Sequence, residues 1–355
     1  MFKSASKLFL VIALLVAASA VSFKTTTVNA QGDCPTKKDK YKIGFANLAQ
    51  GIDFTKLVEQ SMVDAAKKVG NVELVIANNN LDGATALNNA ENFVTQSVDG
   101  VVEFQTDEKF GNVIMNLFQS QNTPIPVIAI DIPMPGATFF GANNYKAGLM
   151  AGEAAGDYAN TKWGGKVDYI LSLELPQSGP FPAARMQGQI DGVQNKLKTK
   201  VPEDHILHLD SKNTQDVAFK VVSDALSKIP PDANVIGVNI NDDTGQGTTA
   251  ALEQVKRTSA NSIVVGQNAV PSGQTEMIKP NSLYLGSTAY FPEKYGDKII
   301  PAMLDLLSCK PVPPAIYVDH VFVTKDNLCQ VFPDGDACKK LQGGAVATMA
   351  ATAAK

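Results

Sequence analysis

The sequence predicts an α/β protein made of two doubly wound parallel sheets, and three observations carry that expectation. From residue 42 onward, short apolar runs alternate with longer amphipathic runs. This is the rhythm of βαβ units whose sheet is covered on both faces. The rhythm restarts after a stretch rich in Pro and Gly (Pro133, Pro135, Gly136), and the strand-type runs are too many for one compact sheet.

Taken in order, Lys42-Ile43-Gly44-Phe45-Ala46 has the composition of a buried strand. Phe54, Leu57, Val58, Met62, Ala65 and Val69 then recur at helical spacing. Val72 to Ala77 predicts a second strand. Leu87, Ala90, Phe93 and Val94 predict the next helix, with Asp82 as its cap. Val101–Phe104 and Pro126–Ile130 are the third and fourth strands, with a helix around Val113–Phe118 between them. After the Pro/Gly stretch a helix covers about Tyr145 to Tyr158. Strands follow at Lys166–Leu173, His205–Leu209, Asn234–Ile240, Ser262–Gly266 and Leu283–Ser287, each separated by a helical stretch. A last helix spans about Pro292–Leu307, Ala315–Thr324 is the final strand, and the Ala/Gly-rich tail from about Leu341 is expected to lack order.

Composition removes several function classes. With 45% hydrophobic and 19% charged residues the chain is neither disordered nor fibrous. Its net charge is −4; without residues 1–30, which hold three Lys and no acid, it is −7. Such a chain lacks the cationic surface that nucleic-acid binding needs.

The first thirty residues read as a secretory signal peptide. Lys3 and Lys7 precede the apolar run Leu8–Ala18, which is short for a membrane span and is followed by small residues. Cleavage fits after Ala20 or after Ala30, and the polar start Gln31-Gly32-Asp33 favours Ala30. Asp33 before Cys34 argues against a lipoprotein site. An exported, periplasmic protein is expected. Four Cys (Cys34, Cys309, Cys329, Cys338) suit an oxidising compartment and allow three pairings, among which sequence alone does not choose. The simplest arrangement closes Cys329–Cys338 around Pro333-Asp334-Gly335 and leaves Cys34 with Cys309. The spacings do not suit a metal, and His205, His208 and His320 lie far from the Cys in sequence.

Gly245-Gln246-Gly247-Thr248-Thr249-Ala250 matches the dinucleotide pattern G-x-G-x-x-A. Four polar residues separate it from the preceding strand, and the next strand ends at Gln267-Asn268 with no acid for a ribose hydroxyl. It reads as a Gly-rich turn. Ser178-Gly179-Pro180 lies in no nucleophile elbow, and no nucleophile–base pair, metal cluster or paired acid and base stands out. No enzymatic activity and no cofactor are expected.

In open α/β sheets ligands bind beyond the carboxyl ends of the strands. The loops there carry a resemblance in Ile43-Gly44-Phe45 leading to Phe54, Pro126-Val127-Ile128-Ala129-Ile130-Asp131, Ala183-Ala184-Arg185 with Gly188, Asn239-Ile240-Asn241-Asp242, Val264-Val265-Gly266, and Phe291-Pro292 with Gly296. In this order, over residues 42–325, the chain resembles the type I periplasmic substrate-binding proteins, the ribose-binding-protein-like branch that serves sugar ABC importers. The resemblance implies two lobes joined by a three-segment hinge with a ligand cleft between them. Residues 31–142 plus 291–317 would form the N-terminal lobe and 143–290 plus 318–326 the C-terminal lobe. Residues 327–355 would be a tail with a disulfide loop. It also implies that Cys34 and Cys309 lie on the first lobe, away from the cleft.

By motif position the resemblance makes Phe54 a ring stacked on the ligand, Asp131 an acceptor of ligand hydroxyls, Arg185 a donor and Asn241 a strand-end ligand. Their structural alternatives are a core residue of the helix, a turn cap, a surface Arg and a turn former, respectively. Asn268 stands where the family often has Asp, and Tyr290 where some members have Gln at the hinge. Ile132 departs from the Arg that sugar binders commonly place beside the Asp, which points to a different sugar, a polyol or a less polar ligand. Gln50, Asp53, Gln105 and Gln246 are further candidates, Phe181 is a second ring face, and Trp163 is expected outside the cleft. The implied function is capture of a sugar or polyol by a monomeric periplasmic protein that delivers it to an ABC permease. The alternative is a periplasmic sensor signalling to a chemoreceptor or sensor kinase.

Overall fold

The structure is a computed structural model, and it describes residues 37–343. The expected signal peptide, both cleavage points, Cys34 with its pairing to Cys309, and the last twelve residues lie outside that range. Along the chain run β1 (Tyr41–Asn47), α1 (Asp53–Val69), β2 (Val72–Asn78), α2 (Gly83–Thr95), β3 (Gly100–Glu103), α3 (Glu108–Gln119), β4 (Val127–Ile130) and β5 (Thr138–Gly141). Then come α4 (Asn144–Trp163), β6 (Tyr169–Glu174), α5 (Pro180–Lys196), β7 (Ile206–Asp210), α6 (Gln215–Leu226), β8 (Val235–Asn239), α7 (Asp242–Gln254), β9 (Ser262–Asn268), α8 (Pro271–Met277) and β10 (Tyr284–Ala289). The last elements are α9 (Tyr295–Leu307), β11 (Ala315–Tyr317), β12 (Val321–Thr324) and α10 (Leu328–Val331).

The strands form two six-stranded sheets, ordered β11-β5-β4-β3-β1-β2 and β12-β10-β9-β8-β6-β7. Every pairing is parallel except β12 against β10. Successive strand side chains point to opposite faces, and the cores follow that alternation. In the first sheet Ile43, Phe45, Val102, Ile128 and Ile130 share one core with residues of α1 and α9. Ala46, Val101, Val127 and Ala129 share the other with α2 and α3. The second sheet likewise sends Leu171, Leu173 and Val264 toward α6 and α7, and Ile170, Ile236, Val238 and Val265 toward α4 and α5. This is the expected pair of doubly wound α/β lobes.

Two strand assignments need correction. β5 follows the Pro/Gly stretch immediately and escapes the pattern, because Thr138-Phe139-Phe140-Gly141 is short and flanked by loop residues. The expected single strand at 315–324 is two strands in different sheets: β11 extends the first beside β5, and β12 closes the second beside β10. The dinucleotide-like glycines lie inside α7 rather than in a turn. Gly245 leaves room for Tyr284, since a Cβ there would sit 2.5 Å from the ring. Helix α4 also outruns its expected end and stops at Gly164, whose φ of 64° suits the left-handed cap. Asp82 caps α2 as expected, its side chain accepting from the Thr85 N–H.

The chain crosses between the sheets after β5, after β10 and after β11. His320 ties these crossings together. Its Nε2 accepts from the Asn143 N–H at 3.1 Å, and its ring meets Tyr290 edge-on at 5.0 Å. Burial and the nearby Arg185 push the imidazole down to about 4, so it is neutral and can accept there. At the far end Cys329 and Cys338 are bonded, and Leu328, Ala337 and Cys338 are buried against the second lobe. Among the described residues no helix is long and apolar enough to cross a membrane.

Glu103, at the end of β3, is buried, with Oε1 accepting from Asn79 Nδ2 at 2.8 Å and Oε2 without a partner. Burial raises its carboxyl to about 8. A carboxyl that holds its proton more tightly when folded contributes stability that is complete below its unfolded value near 4.5 and is lost as pH climbs through about 8. Glu103→Gln is therefore expected to gain stability relative to the parent by about 1.4 kcal/mol for each pH unit between 5 and 7. Urea unfolding of both proteins at those pH values would show it. A constant difference would mean that Glu103 does not bind a proton on folding.

Candidate ligand-binding cleft

The two lobes face each other across a cleft lined from both sides. The first lobe supplies Leu48, Ile52, Phe54, Thr55, Phe104, Thr106, Asp131 and Ile132. The second supplies Leu175, Ser178, Pro182, Arg185, Asn213, Ile240, Asn241 and Asn268. The enclosed space between these residues is about 60 Å³, and it opens to solvent at the mouth. Its lining carries two charged side chains, Asp131 and Arg185.

Arg185 is placed by its helix. Helices α4 and α5 run in backbone contact: a Cβ on Gly148 would lie 2.0 Å from the Arg185 carbonyl oxygen, and one on Gly152 2.1 Å from that of Gln189. Arg185 is buried, at 7% exposure, and its guanidinium is pinned. Its Nε donates to Asn144 Oδ1 at 2.9 Å, Nη1 donates to the Ile240 carbonyl at 2.7 Å, and the group lies 5.0 Å over the Tyr290 ring. Nη2 makes no hydrogen bond within the described protein.

Asp131 follows β4 with a left-handed φ of 60°. Gly141 gives it room, because a Cβ there would lie 2.4 Å from Asp131 Oδ1. That oxygen is buried without a partner. Burial pushes the carboxyl up, while the Arg185 charge and the Ala142 N–H pull it down. The two groups are near enough to feel each other, yet no direct ion pair joins them among the described residues. An unsatisfied carboxylate oxygen opposite a guanidinium with a spare N–H is an arrangement that a hydroxylated molecule can complete.

The sequence profile of the periplasmic binding protein domain matches residues 43–311, three quarters of the chain. The chain belongs to this family. Solved structures of similar fold include a solute-binding protein of Bacillus halodurans with bound myo-inositol (18% identity, 83% of this chain and 99% of that one, TM-score 0.70). They also include one from Actinobacillus succinogenes with bound D-allose (17%, 81% and 98%, 0.69). The glucose-galactose binding protein GanP of Geobacillus stearothermophilus is a third (23%, 82% and 99%, 0.67). No curated protein matches the sequence.

Within this family fold, five of the expected residues line the cleft: Phe54, Asp131, Arg185, Asn241 and Asn268. Phe54 also serves the core, packing edge-on against Phe104, Tyr290 and Tyr295. Asn241 caps α7: its Oδ1 accepts from the Thr244 N–H at 2.8 Å, and its Nδ2 donates to Asn213 Oδ1 at 2.9 Å. Asn241 is thus a helix cap that also lines the cleft. Asn268 makes no side-chain hydrogen bond within the described protein.

The other candidates lie outside the lining. Tyr290 is buried at the hinge, where its hydroxyl donates to Gln267 Oε1 at 2.7 Å. Gln105 accepts from the Asp107 N–H at 2.6 Å behind the cleft, and its Nε2 is buried without a partner. Gln50 is exposed in the wider mouth, and Asp53 pairs with Lys56 at 3.5 Å on the first turn of α1. Gln246 reaches only its own helix, at the Asp242 carbonyl 3.4 Å away. Phe181 packs on Phe139 of the first lobe at 4.9 Å, bridging the lobes beside the cleft. Trp163 lies at the end of α4, donating to the Ser259 carbonyl. Leu175, Pro182 and Ile240 carry no polar signature in the sequence; only their place beside strand ends marks them.

Gly148→Ala tests the support of Arg185. The added methyl meets backbone rather than a movable side chain, so unfolding free energy is expected to fall by about 1–3 kcal/mol. Chemical denaturation checks it, and unchanged stability would mean the helices are not in backbone contact.

Proposed function

We propose that this chain is an exported, monomeric solute-binding protein that captures a neutral sugar or polyol and presents it unaltered to an ABC-type importer. The observation that carries this reading is the opposition of Asp131 and Arg185, from different lobes, across one cleft with Phe54 in its wall. Hydroxyls of a neutral ligand donate to the carboxylate and accept from the guanidinium, while a ring covers the C–H face. The two charges offset each other, so a neutral guest leaves the closed cleft neutral. The myo-inositol and D-allose held by proteins of the same fold support this ligand class.

The lobes of the proposal are residues 31–142 with 291–317, and 143–290 with 318–326. A ligand touching both stabilises the closed form over the open one, so binding is read as hinge closure. The signal peptide expected from the sequence, and the family, fit delivery in a periplasm. The sensor alternative has its own support: a fructose-binding periplasmic domain of a hybrid two-component system shares the fold at TM-score 0.69 and 20% identity, over 88% of this chain and 97% of that one.

A thermal-shift screen of pentoses, hexoses, polyols and inositols tests the reading, because a ligand bound only by the native state raises the melting temperature. Small-angle scattering with the best ligand should show compaction. Absence of any shift across the panel would remove the sugar reading. Arg185→Ala is expected to weaken the best ligand by about 1.5–3 kcal/mol, the range for a hydrogen bond to a charged group. Calorimetry showing unchanged affinity would take Arg185 out of the site.

A further inference from the structure

Several polar groups of the cleft lining already have partners within the protein. The single Thr55 hydroxyl proton is shared between the carbonyls of Ile52 (2.9 Å) and Ala49, and Ser178 Oγ donates to the Leu175 carbonyl (2.7 Å), so both hydroxyls are left as acceptors only. Asn241 is committed to its cap, and Asn213 Oδ1 to Asn241. Asp131, Nη2 of Arg185, Asn268, Thr106 and the amide nitrogen of Asn213 remain. The lining also carries an apolar wall drawn from both lobes, Ile132 from the first and Leu175, Pro182 and Ile240 from the second. Ile132, next after Asp131 in the chain, also lines the cleft, and its side chain can pair with nothing. A hydroxyl placed against that wall would lose its water and gain no partner, at a cost of about 1–3 kcal/mol. A methyl group there would gain by burial instead.

We propose, building on the sugar-binding reading, that the ligand is a neutral deoxy sugar. Its methyl-bearing edge lies on the wall of Ile132, Leu175, Pro182 and Ile240, and its hydroxyls complete Asp131 and Arg185. Ile132 is the specificity-determining residue. The wall excludes the hydroxymethyl group of the parent sugar by withholding a partner, and the Asp131–Arg185 pair keeps the guest uncharged.

Calorimetric titration with matched pairs tests this: D-fucose against D-galactose, L-fucose against L-galactose, and L-rhamnose against L-mannose. At least one deoxy member is expected to bind 10- to 100-fold more tightly than its parent, the discrimination an apolar pocket achieves against an added hydroxyl. Ile132→Thr, which offers a hydroxyl at the wall, should narrow that ratio at least fivefold, with its unliganded melting temperature confirming the fold. A parent sugar or an inositol binding as tightly as every deoxy sugar would overturn the proposal and leave the sugar-binding reading standing. A ratio unmoved by Ile132→Thr would take the determinant away from Ile132. No binding by any member of the pairs, together with a flat thermal-shift screen, would end both readings.

Discussion

The molecule depends on holding two opposite charges out of water on two different lobes without letting them meet. A buried guanidinium is tolerable only when its donors are satisfied. Arg185 meets this through Asn144, the Ile240 carbonyl and the Tyr290 face. Each partner belongs to a different element: the start of α4, the residue after β8, and the second crossing between the sheets. The glycine contacts between α4 and α5 set the height of Arg185 over the cleft, and the left-handed turn at Asp131 aims the carboxylate from the other side. What stays unsatisfied is one carboxylate oxygen and one arm of the guanidinium, so the cost of burial is left for a guest to offset.

The second lobe is braced around a further buried carboxylate. Asp242, the residue after the cap Asn241, accepts from Tyr284 Oη at 2.6 Å, Ser287 Oγ at 2.5 Å and the Val270 N–H at 2.7 Å. These bonds tie the first turn of α7 to β10 and to the start of α8, next to the strand end that carries Asn268. Burial still raises its carboxyl to about 7, which means the three donors do not fully replace water. Gly266 and Gly273 leave space for this cluster, since a Cβ on either would come within 2.8 Å of an Asp242 oxygen. The rim of the cleft is thus fixed by an interior network that lies outside the cleft lining.

Much of the fold and the two charged residues are legible in the sequence because they follow from local rules. Apolar runs at strand spacing mark the sheets, and polar residues just beyond them mark the cleft. Asp131 sits at such an end, and Arg185 follows the β6 end on the second turn of α5. What resists reading is set by contacts between distant segments. Phe181 has the composition of a ligand ring, but Phe139 of the other sheet claims it, and nothing local to either signals the pairing. Asn241 is polar and at a strand end, yet the Thr244 N–H three residues on takes its oxygen. The division of residues 315–324 between two sheets depends on β5 and β10, which lie far away in the chain. Apolar wall residues such as Leu175 and Ile240 look like any core residue until the opposite lobe is present.

The contacts outside the cleft bear on how strongly a guest can bind. Phe181 on Phe139 and Gly179 against the Glu108 carboxylate join the lobes outside the cleft lining. Such contacts stabilise closure by themselves, and a ligand's apparent affinity is its intrinsic affinity scaled by the fraction of molecules already competent to hold it. A ring pair of this kind is worth about 0.5–1.5 kcal/mol beyond its buried area. It can therefore shift that fraction severalfold without a single contact to the guest. The aromatic bridge and the charged pair accordingly act on different quantities. The bridge sets how much of the protein is closed beforehand, and the pair sets which molecules gain from the closed form. On the proposed function, change at the rim tunes affinity while the chemistry of selection stays with Asp131, Ile132 and Arg185.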